Sequence, residues 1–260
     1  MKIKFQKYQG TGNDFIIINN NSLSFPNKNK DLIKSLCDRK FGIGSDGLIL
    51  INPSTKTDFE MVYFNSDGNL GSMCGNGARC SAKFAQNQKI IKNNTIFNTC
   101  DGKHSAEIIE NNIFLSMKNV SNIKSYKKDL FIDTGSPHYI KTVDDLEKYD
   151  VYKEGKKIRN SFKFNNNGGV NVNFVQVVSN SEFYVRTFER GVEDETLSCG
   201  TGVTAVALAM FYLKKTNSKK IKIKTRGGDL KVNFNVSKND YTDIKLIGSV
   251  EMIFSGEIEI

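Results

Sequence analysis

An internal repeat spans most of this sequence and limits the folds that it can adopt. Residues 73–78 (MCGNGA) and 198–203 (SCGTGV) share a Cys-Gly-x-Gly pattern, and Cys199 follows Cys74 by 125 residues. Two further pairs of segments match at nearly the same offset: residues 59–68 with 183–191, and 99–102 with 225–228. Three matches at a nearly constant offset predict two similar halves in tandem.

Short runs typical of strands outnumber the helical patterns. Because strands joined by Gly, Asn and Asp turns predominate, the fold class predicted is α+β, with mixed or antiparallel sheets rather than a wound parallel sheet. Strands are predicted at residues 15–19, 48–51, 59–64, 173–178, 183–188, 221–225 and 249–254. Helices are predicted at residues 30–39, 75–88 and 200–215, and a loop at 161–169.

The charge of the chain bears on which partners are expected. The net charge is +9, from 37 Lys and Arg against 28 Asp and Glu, but the lysines are spread along the whole sequence. Without a basic arm or helix, this distribution disfavours nucleic-acid binding. The apolar runs are shorter than the ~20 residues that span a bilayer, and the N-terminal residues lack a signal-peptide core. We therefore expect a cytoplasmic protein with no membrane partner.

The five cysteines form neither a disulfide framework nor a zinc motif. Their number is odd, there is no Cys-x-x-Cys pair, and only His104 and His138 could add imidazole ligands. No metal is therefore expected. Cys37, Cys80 and Cys100 are interpreted as structural residues and His104 as a surface residue.

Each repeated cysteine precedes a Gly-x-Gly and a run of small or apolar residues that predicts a buried helix. A helix N-terminus lowers a thiol pKa, and its free N–H groups bind anions such as a carboxylate. A single such cysteine is typical of an inert thiol beside a tight turn. Two such cysteines at matching positions of a repeat favour a catalytic function. One thiolate removes a proton from a carbon beside a carboxylate, and the other thiol returns a proton to the opposite face of that carbon.

At these residues the chain resembles the diaminopimelate epimerases, over essentially its whole length. The resemblance implies two pseudo-symmetric halves, each a β-barrel-like sheet around a central helix, with the active site in the cleft between them. We place these halves at residues 1–118, completed by a C-terminal strand at 249–260, and at 119–248. The matching segments are residues 10–15, 38–47, 64–65, 73–80, 135–138, 170–174, 189–191 and 199–202.

The resemblance implies a cofactor-independent, pyridoxal-free isomerase that interconverts LL- and meso-2,6-diaminopimelate in lysine and peptidoglycan synthesis. Cys74 and Cys199 would be the two acid–base groups, and a homodimer is the family expectation. His138 and Glu189 would tune the cysteine pKa values. The implied substrate-binding residues are Asn13, Asn65, Gly75, Asn76, Asn171, Glu189, Arg190, Gly200 and Thr201.

Two positions depart from the family pattern, and three alternatives stay open. Many relatives have Asn where Ser136 stands, and some have Gln where Gly47 stands, so substrate contacts there are in doubt. A proline or hydroxyproline racemase also uses two cysteines, although Glu189 and Arg190 favour a substrate with a second amino-acid head. A dithiol redox enzyme and a basic nucleic-acid-binding module are the alternatives from other classes.

Overall fold

A computed structural model describes residues 1–126, 128–161, 164 and 168–260, and these residues form a mixed α+β fold. Part of the predicted loop at 161–169 lies outside the described residues. The helices are α1 (Lys30–Cys37), α2 (Gly75–Asn87), α3 (Val151–Arg159) and α4 (Gly200–Tyr212). The chain divides into unit 1, Met1–Leu115 with Gly248–Ile260, and unit 2, Ser116–Ile247.

The strands carry most of the regular structure in both units. Those that begin in unit 1 are β1 (Lys2–Gly10), β2 (Asn13–Asn19), β3 (Gly47–Asn52), β4 (Phe59–Asn65), β5 (Asn94–Thr99), β6 (Gly102–Ile109), β7 (Asn112–Ser116) and β17 (Glu251–Glu259). Those of unit 2 are β8 (Ile123–Tyr126), β9 (Asp129–Asp133), β10 (Pro137–Thr142), β11 (Asn171–Ser179), β12 (Glu182–Glu189), β13 (Asp194–Thr196), β14 (Lys220–Thr225), β15 (Gly228–Ser237) and β16 (Asp240–Ser249).

Unit 1 is a mixed sheet packed around α2. Strand β1 pairs antiparallel with both β17 and β2, β2 runs parallel to β3, and β3 pairs antiparallel with β4. Strand β5 then runs parallel to β4 and continues into the antiparallel pairs β5–β6 and β6–β7. Helix α2 contacts β1, β2, β3, β4 and β6, so small residues such as Ala78 and Ala82 are fully buried. This packing places the N-terminus of α2 against the sheet.

Unit 2 repeats this arrangement around α4. Strands β8, β9 and β10 pair antiparallel in turn, β10 runs parallel to β11, and β11 pairs antiparallel with β12. Strand β12 runs parallel to β14, which leads into the antiparallel pairs β14–β15 and β15–β16. Helix α4 contacts β9, β10, β11, β12, β14 and β15 and is apolar on nearly every face, as a central helix must be.

The predicted fold class, strands and three helices are confirmed, with differences at the ends. Helix α1 stops at Cys37 because Asp38 is extended, and the left-handed Lys89 and Lys214 lie just beyond α2 and α4. The last strand begins at Glu251 rather than residue 249, because residue 249 ends β16.

The sequence patterns do not predict helix α3 or the ten strands β1, β5–β10, β13, β15 and β16, and one residue was misinterpreted. Helix α3 was missed because it buries only Val151 and Gly155 and is otherwise rich in lysine. The surface interpretation of His104 is wrong, because the side chain is only 13% exposed, stacks on Phe97 and hydrogen-bonds Asp101. Cross-strand pairing of His104 with Phe97 in the β5–β6 hairpin causes that burial.

Candidate active site

Cys74 is the N-cap residue of α2. Its backbone is extended and its half-buried Sγ accepts a hydrogen bond from the Gly77 N–H at 3.4 Å. The Cys74 thiol also donates a hydrogen bond to Oδ1 of Asn13, with a sulfur–oxygen distance of 3.6 Å. The same oxygen accepts from Nδ2 of Asn76 at 3.4 Å. Unit 1 thus gathers the predicted residues Asn13, Cys74, Gly75 and Asn76 at the start of one helix.

The orientation of the Asn13 amide is set by a neighbouring carboxylate. Asn13 Nδ2 donates to Oδ2 of Asp46 at 2.7 Å, so the amide oxygen faces Cys74 and Asn76. Asp46 is held by Arg39, whose guanidinium bridges to Asp14 at 2.7 Å. Asp46 therefore acts on the site through Asn13.

Asp14 anchors this charged cluster beneath the site. Lys7 Nζ lies 2.8 Å from Asp14 Oδ2 and is itself only 8% exposed at the side chain. Burial alone would raise the pKa of the Asp14 carboxyl, but hydrogen bonds from Arg39 and Lys7 hold that pKa well below its usual value. The carboxylate is therefore charged throughout the physiological pH range.

Cys199 begins α4 in the equivalent position of unit 2. It is buried, and its Sγ lies 3.5 Å from Oγ1 of Thr201. That hydroxyl in turn lies 2.9 Å from Nε2 of His138, which is fully buried on β10. The predicted residues Cys199, Thr201 and His138 therefore form one hydrogen-bonded chain.

Asn173 on β11 fixes the direction of the hydrogen bonds that run from His138 through Thr201 to Cys199. The Asn173 Nδ2 group donates to the Tyr139 carbonyl at 3.3 Å and to Nδ1 of His138 at 3.0 Å, while its oxygen accepts from Thr187. The ring proton of His138 consequently lies on Nε2 and is donated to Thr201. The Thr201 hydroxyl hydrogen is then available to the sulfur of Cys199.

His138 is neutral in this environment. Burial, together with the positive charge of Arg190, lowers its pKa to about 3. A neutral imidazole matches the tautomer that the Asn173 amide imposes. His138 thus orients the Thr201 hydroxyl without adding a charge beside Cys199.

The residues predicted to recognise the far end of a substrate lie at the ends of neighbouring strands in unit 2. Asn171 begins β11, is buried, and accepts a hydrogen bond from the Arg190 N–H at 2.9 Å. Glu189 ends β12 and accepts from the Thr196 hydroxyl at 2.8 Å. The Arg190 guanidinium donates to the Gly168 carbonyl at 3.2 Å. These bonds hold Glu189 and Arg190 in an ordered turn.

Asn65 ends β4, where it is exposed and pairs with Gly47 on β3. A Cβ at Gly47 would lie 2.5 Å from both the Phe64 carbonyl oxygen and the Tyr63 ring. The Phe64 carbonyl and the Tyr63 ring therefore leave no room for a side chain at position 47. Ser136, the other departure, is half-buried in the turn before β10, where its carbonyl accepts from the Thr134 N–H.

Several residues around the two cysteines were not identified from the sequence. Asp46 and Asn173 lie within motifs that were noted, but their contacts join different strands. Arg79 is fully buried on α2 beneath Cys74. The signal that could have found Arg79 is a charged residue within a helix of small, buried residues.

The described residues offer neither a metal-binding cluster nor a membrane-spanning helix. Within the described ranges, no three His, Cys, Asp or Glu side chains are grouped closely enough to hold a metal ion. No helix in the described part of the chain has the length and apolar character needed to cross a membrane.

Solved structures define the class of fold. A phenazine biosynthesis protein of the PhzF family from Bacillus anthracis superimposes with a TM-score of 0.79 at 13% identity, covering 100% of both chains. A hydroxyproline epimerase from Agrobacterium vitis gives a TM-score of 0.70 at 11% identity, covering 99% of this chain and 92% of that one. The chain therefore has the fold that PhzF-type proteins share with proline racemases and hydroxyproline epimerases.

Sequence comparison then identifies the family within that class. The diaminopimelate epimerase family model matches residues 5–122 and 130–253. The diaminopimelate epimerase of Flavobacterium psychrophilum is 52% identical over 98% of this chain and 100% of its own length. That of Aquifex aeolicus is 38% identical, covering 98% of each. The chain belongs to the diaminopimelate epimerase family.

Proposed function

We propose that this protein interconverts LL- and meso-2,6-diaminopimelate, as an isomerase of lysine biosynthesis. The observation that carries the proposal is the pair of cysteines that begin α2 and α4, in a chain of the diaminopimelate epimerase family. Each cysteine occupies the N-cap position of a buried helix, where a thiol ionises more readily than in water.

One cysteine removes the α-proton of the substrate, and the other gives a different proton to the same carbon from the opposite face. Cys199 accepts the proton as a thiolate, which the Thr201 hydroxyl stabilises at 3.5 Å. Cys74 donates its thiol proton to the opposite face, and the Asn13 oxygen supports the protonated form of Cys74 before transfer. The reverse reaction exchanges these roles, as a two-base mechanism requires.

The N-termini of both helices bind the carboxylate beside the reacting carbon. Gly75 and Asn76 supply N–H groups from α2, and Gly200 and Thr201 supply them from α4. Negative charge moves onto this carboxylate as the α-proton leaves. Fixed N–H dipoles stabilise that charge more in the transition state than in the ground state.

The second amino-acid head of diaminopimelate is recognised by charge and by amides. Arg190 binds the distal carboxylate, and Glu189 binds the distal ammonium group. Asn65 and Asn171 complete the hydrogen bonds. A substrate without this head leaves those groups unpaired, so proline and other simple amino acids are rejected.

The proposal includes how the protein works in the cell. The two cysteines supply the acid and the base, and the two helix N-termini supply the site for the carboxylate. The reaction therefore proceeds without pyridoxal phosphate or a metal ion. The enzyme acts in the cytoplasm as a homodimer. The apolar side chains of Met252, Ile253 and Phe254 are more than 40% exposed on β17 and fit a contact with a second copy.

The test is α-proton exchange followed by NMR. Reduced protein is incubated with LL-diaminopimelate in D2O, beside L-proline and the variants Cys74→Ala and Cys199→Ala. We expect deuterium at one α-carbon together with the meso isomer, and loss of epimerisation in both variants. Exchange with L-proline alone would move the protein to the racemases and remove the roles of Glu189 and Arg190. No exchange with either substrate would overturn the epimerase assignment.

A further inference from the structure

Arg79 is a buried cation that no carboxylate neutralises. It lies on the second turn of α2 and is fully inaccessible to solvent. Its guanidinium donates to Oδ1 of Asn76 at 3.1 Å, to the Thr11 hydroxyl at 3.2 Å and to the Gly75 carbonyl at 3.4 Å. Among the described residues its Nε–H finds no acceptor, and no acidic side chain lies within ion-pair distance of it.

A buried charge without a counter-ion is strongly unfavourable, so we expect an anion to bind close to the Arg79 guanidinium. The nearby carboxylates of Asp14 and Asp46 are already paired with Lys7 and Arg39. Cys80 interacts with the Arg79 charge, but burial raises the pKa of this thiol and keeps it neutral. Tyr8, which faces Cys80 from β1, is neutral for the same reason.

The anions that remain are those at the N-terminus of α2. A side chain on the second turn of a helix points back toward the N-terminus, and the bonds to Gly75 and Asn76 place the guanidinium beneath that end. Cys74, the capping residue, interacts electrostatically with Arg79. The full charge of Arg79 thus adds to the partial positive charge of the helix end.

Unit 2 lacks this charge. The residue 125 positions after Arg79 is Thr204, whose hydroxyl donates to the Gly200 carbonyl within α4 at 3.0 Å. Thr204 bonds to the first residue of its helix as Arg79 does, but without a charge. Helix packing alone therefore does not require an arginine at this position.

We propose that Arg79 is a positioning residue that stabilises negative charge at the start of α2, on the sulfur of Cys74 and on the carboxylate bound beside it. Through Asn76 it also fixes the amide that shares the Asn13 oxygen with Cys74. When Cys74 gives its proton to the substrate, Arg79 provides the counter-charge to the thiolate that is left. This proposal rests on the proposed acid–base role of Cys74.

The experiment measures how readily Cys74 ionises, without any turnover. Full-length protein carrying Cys199→Ala is alkylated with iodoacetamide at pH 5.5 to 10, and the Cys74 peptide is quantified by mass spectrometry. In this background Arg79→Gln, which keeps a hydrogen-bond donor but loses the charge, should lower the rate at pH 7 tenfold or more. Arg79→Lys should restore most of the rate. The matched control is Arg186→Gln, since Arg186 is a buried arginine of unit 2 paired with Glu195.

The outcomes are distinct from those of the exchange test, because alkylation needs no substrate. An unchanged pH profile in Arg79→Gln would overturn the proposal, as would equal losses in the Gln and Lys variants. If neither variant folds, the protein with Arg79 intact can still contradict the proposal. Its Cys74 must ionise below the ordinary cysteine value of about 8.5, and a higher value contradicts the proposal.

Discussion

Thr201 connects Cys199 to His138, because its hydroxyl lies 3.5 Å from the Cys199 sulfur and 2.9 Å from the His138 ring. Replacing Thr201 by Val removes the hydroxyl between His138 and Cys199 but keeps the shape. A hydrogen bond to a charged group contributes about 1.5–3 kcal/mol, so we expect proton exchange to slow roughly ten- to 150-fold. Thr201→Ser should stay within a few-fold of the parent protein. Deuterium uptake by LL-diaminopimelate measures both, and an undiminished rate in the Val variant would remove Thr201 from the mechanism.

His138 makes the stability of the fold depend on pH. Its pKa is about 3 in the folded protein and about 6.5 when unfolded, so the unfolded chain binds an extra proton between these values. The free energy of unfolding is therefore highest above pH 6.5 and decreases as the pH falls toward 3. Between pH 6.5 and 4.5 we expect a loss of about 2–3 kcal/mol from this residue.

Urea unfolding across this window measures the effect of His138. The variant His138→Gln, which cannot titrate, should show a clearly flatter dependence than the parent protein. The matched control is His104→Gln, which removes the other histidine of the chain and should keep the steep dependence. Asp14 adds its own loss only at lower pH, because its pKa lies below the unfolded value of about 3.9. Parallel curves for the parent protein and His138→Gln would disprove the assignment.

At the scale of the element, the two equivalent helices differ in how closely the third residue approaches its sheet. A Cβ at Gly202 would lie 2.4 Å from Oδ1 of Asn173, an amide fixed by three hydrogen bonds. A Cβ at Gly77 would instead meet the flexible ends of Ile49 and Met61 at 3.0 and 3.2 Å. The α4 position therefore requires glycine more strictly than the α2 position.

The pair Gly202→Ala and Gly77→Ala tests this difference. Gly202→Ala should lose about 1–3 kcal/mol of unfolding free energy, because overpacking displaces Asn173. It should also lose activity, because Asn173 orients His138. In Gly77→Ala the helix-propensity gain of up to ~1 kcal/mol offsets the tighter contacts, so stability should change little. Equal losses of stability in the two variants would refute the argument.

Helix α3 shows where element prediction from sequence fails. Its lysine-rich sequence buries only Val151 and Gly155, so its apolar periodicity is weak. Gly155 is buried because the helix lies against Phe188 on β12, where an added Cβ would come within 2.3 Å. In contrast, the first residues of α2 and α4 were predicted correctly, since glycines and small apolar residues mark their starts and buried faces, although α4 ends three residues earlier than predicted.

At the scale of the molecule, unit 1 is completed by the last strand of the chain. Strand β17 pairs with β1 along nearly its whole length, from Lys2 opposite Glu259 to Gln9 opposite Glu251. A chain ending at residue 248 should lose the structure of unit 1, since β1 then has an unpaired edge and Ile3 and Phe5 lose their cover.

Limited proteolysis with mass spectrometry measures the effect of this deletion. We expect early cleavage within residues 1–115 and slower cleavage within residues 116–247. Ser255→Ala, a change to an exposed side chain on β17, is the control and should leave the digestion pattern unchanged. A truncated protein as resistant as the full chain would show that β17 is dispensable.

The α+β class, the three helices with local signals and the equivalence of Cys74 and Cys199 can all be predicted from the order of the amino acids. These features follow from neighbouring residues and from a repeat, which need no knowledge of distant contacts. The folded chain is needed to show that Arg79 is buried without a carboxylate partner, that Asp46 orients Asn13 and that Asn173 sets the tautomer of His138. Each of these depends on side chains brought together from separate strands, because desolvation and hydrogen-bond geometry are properties of the packed chain.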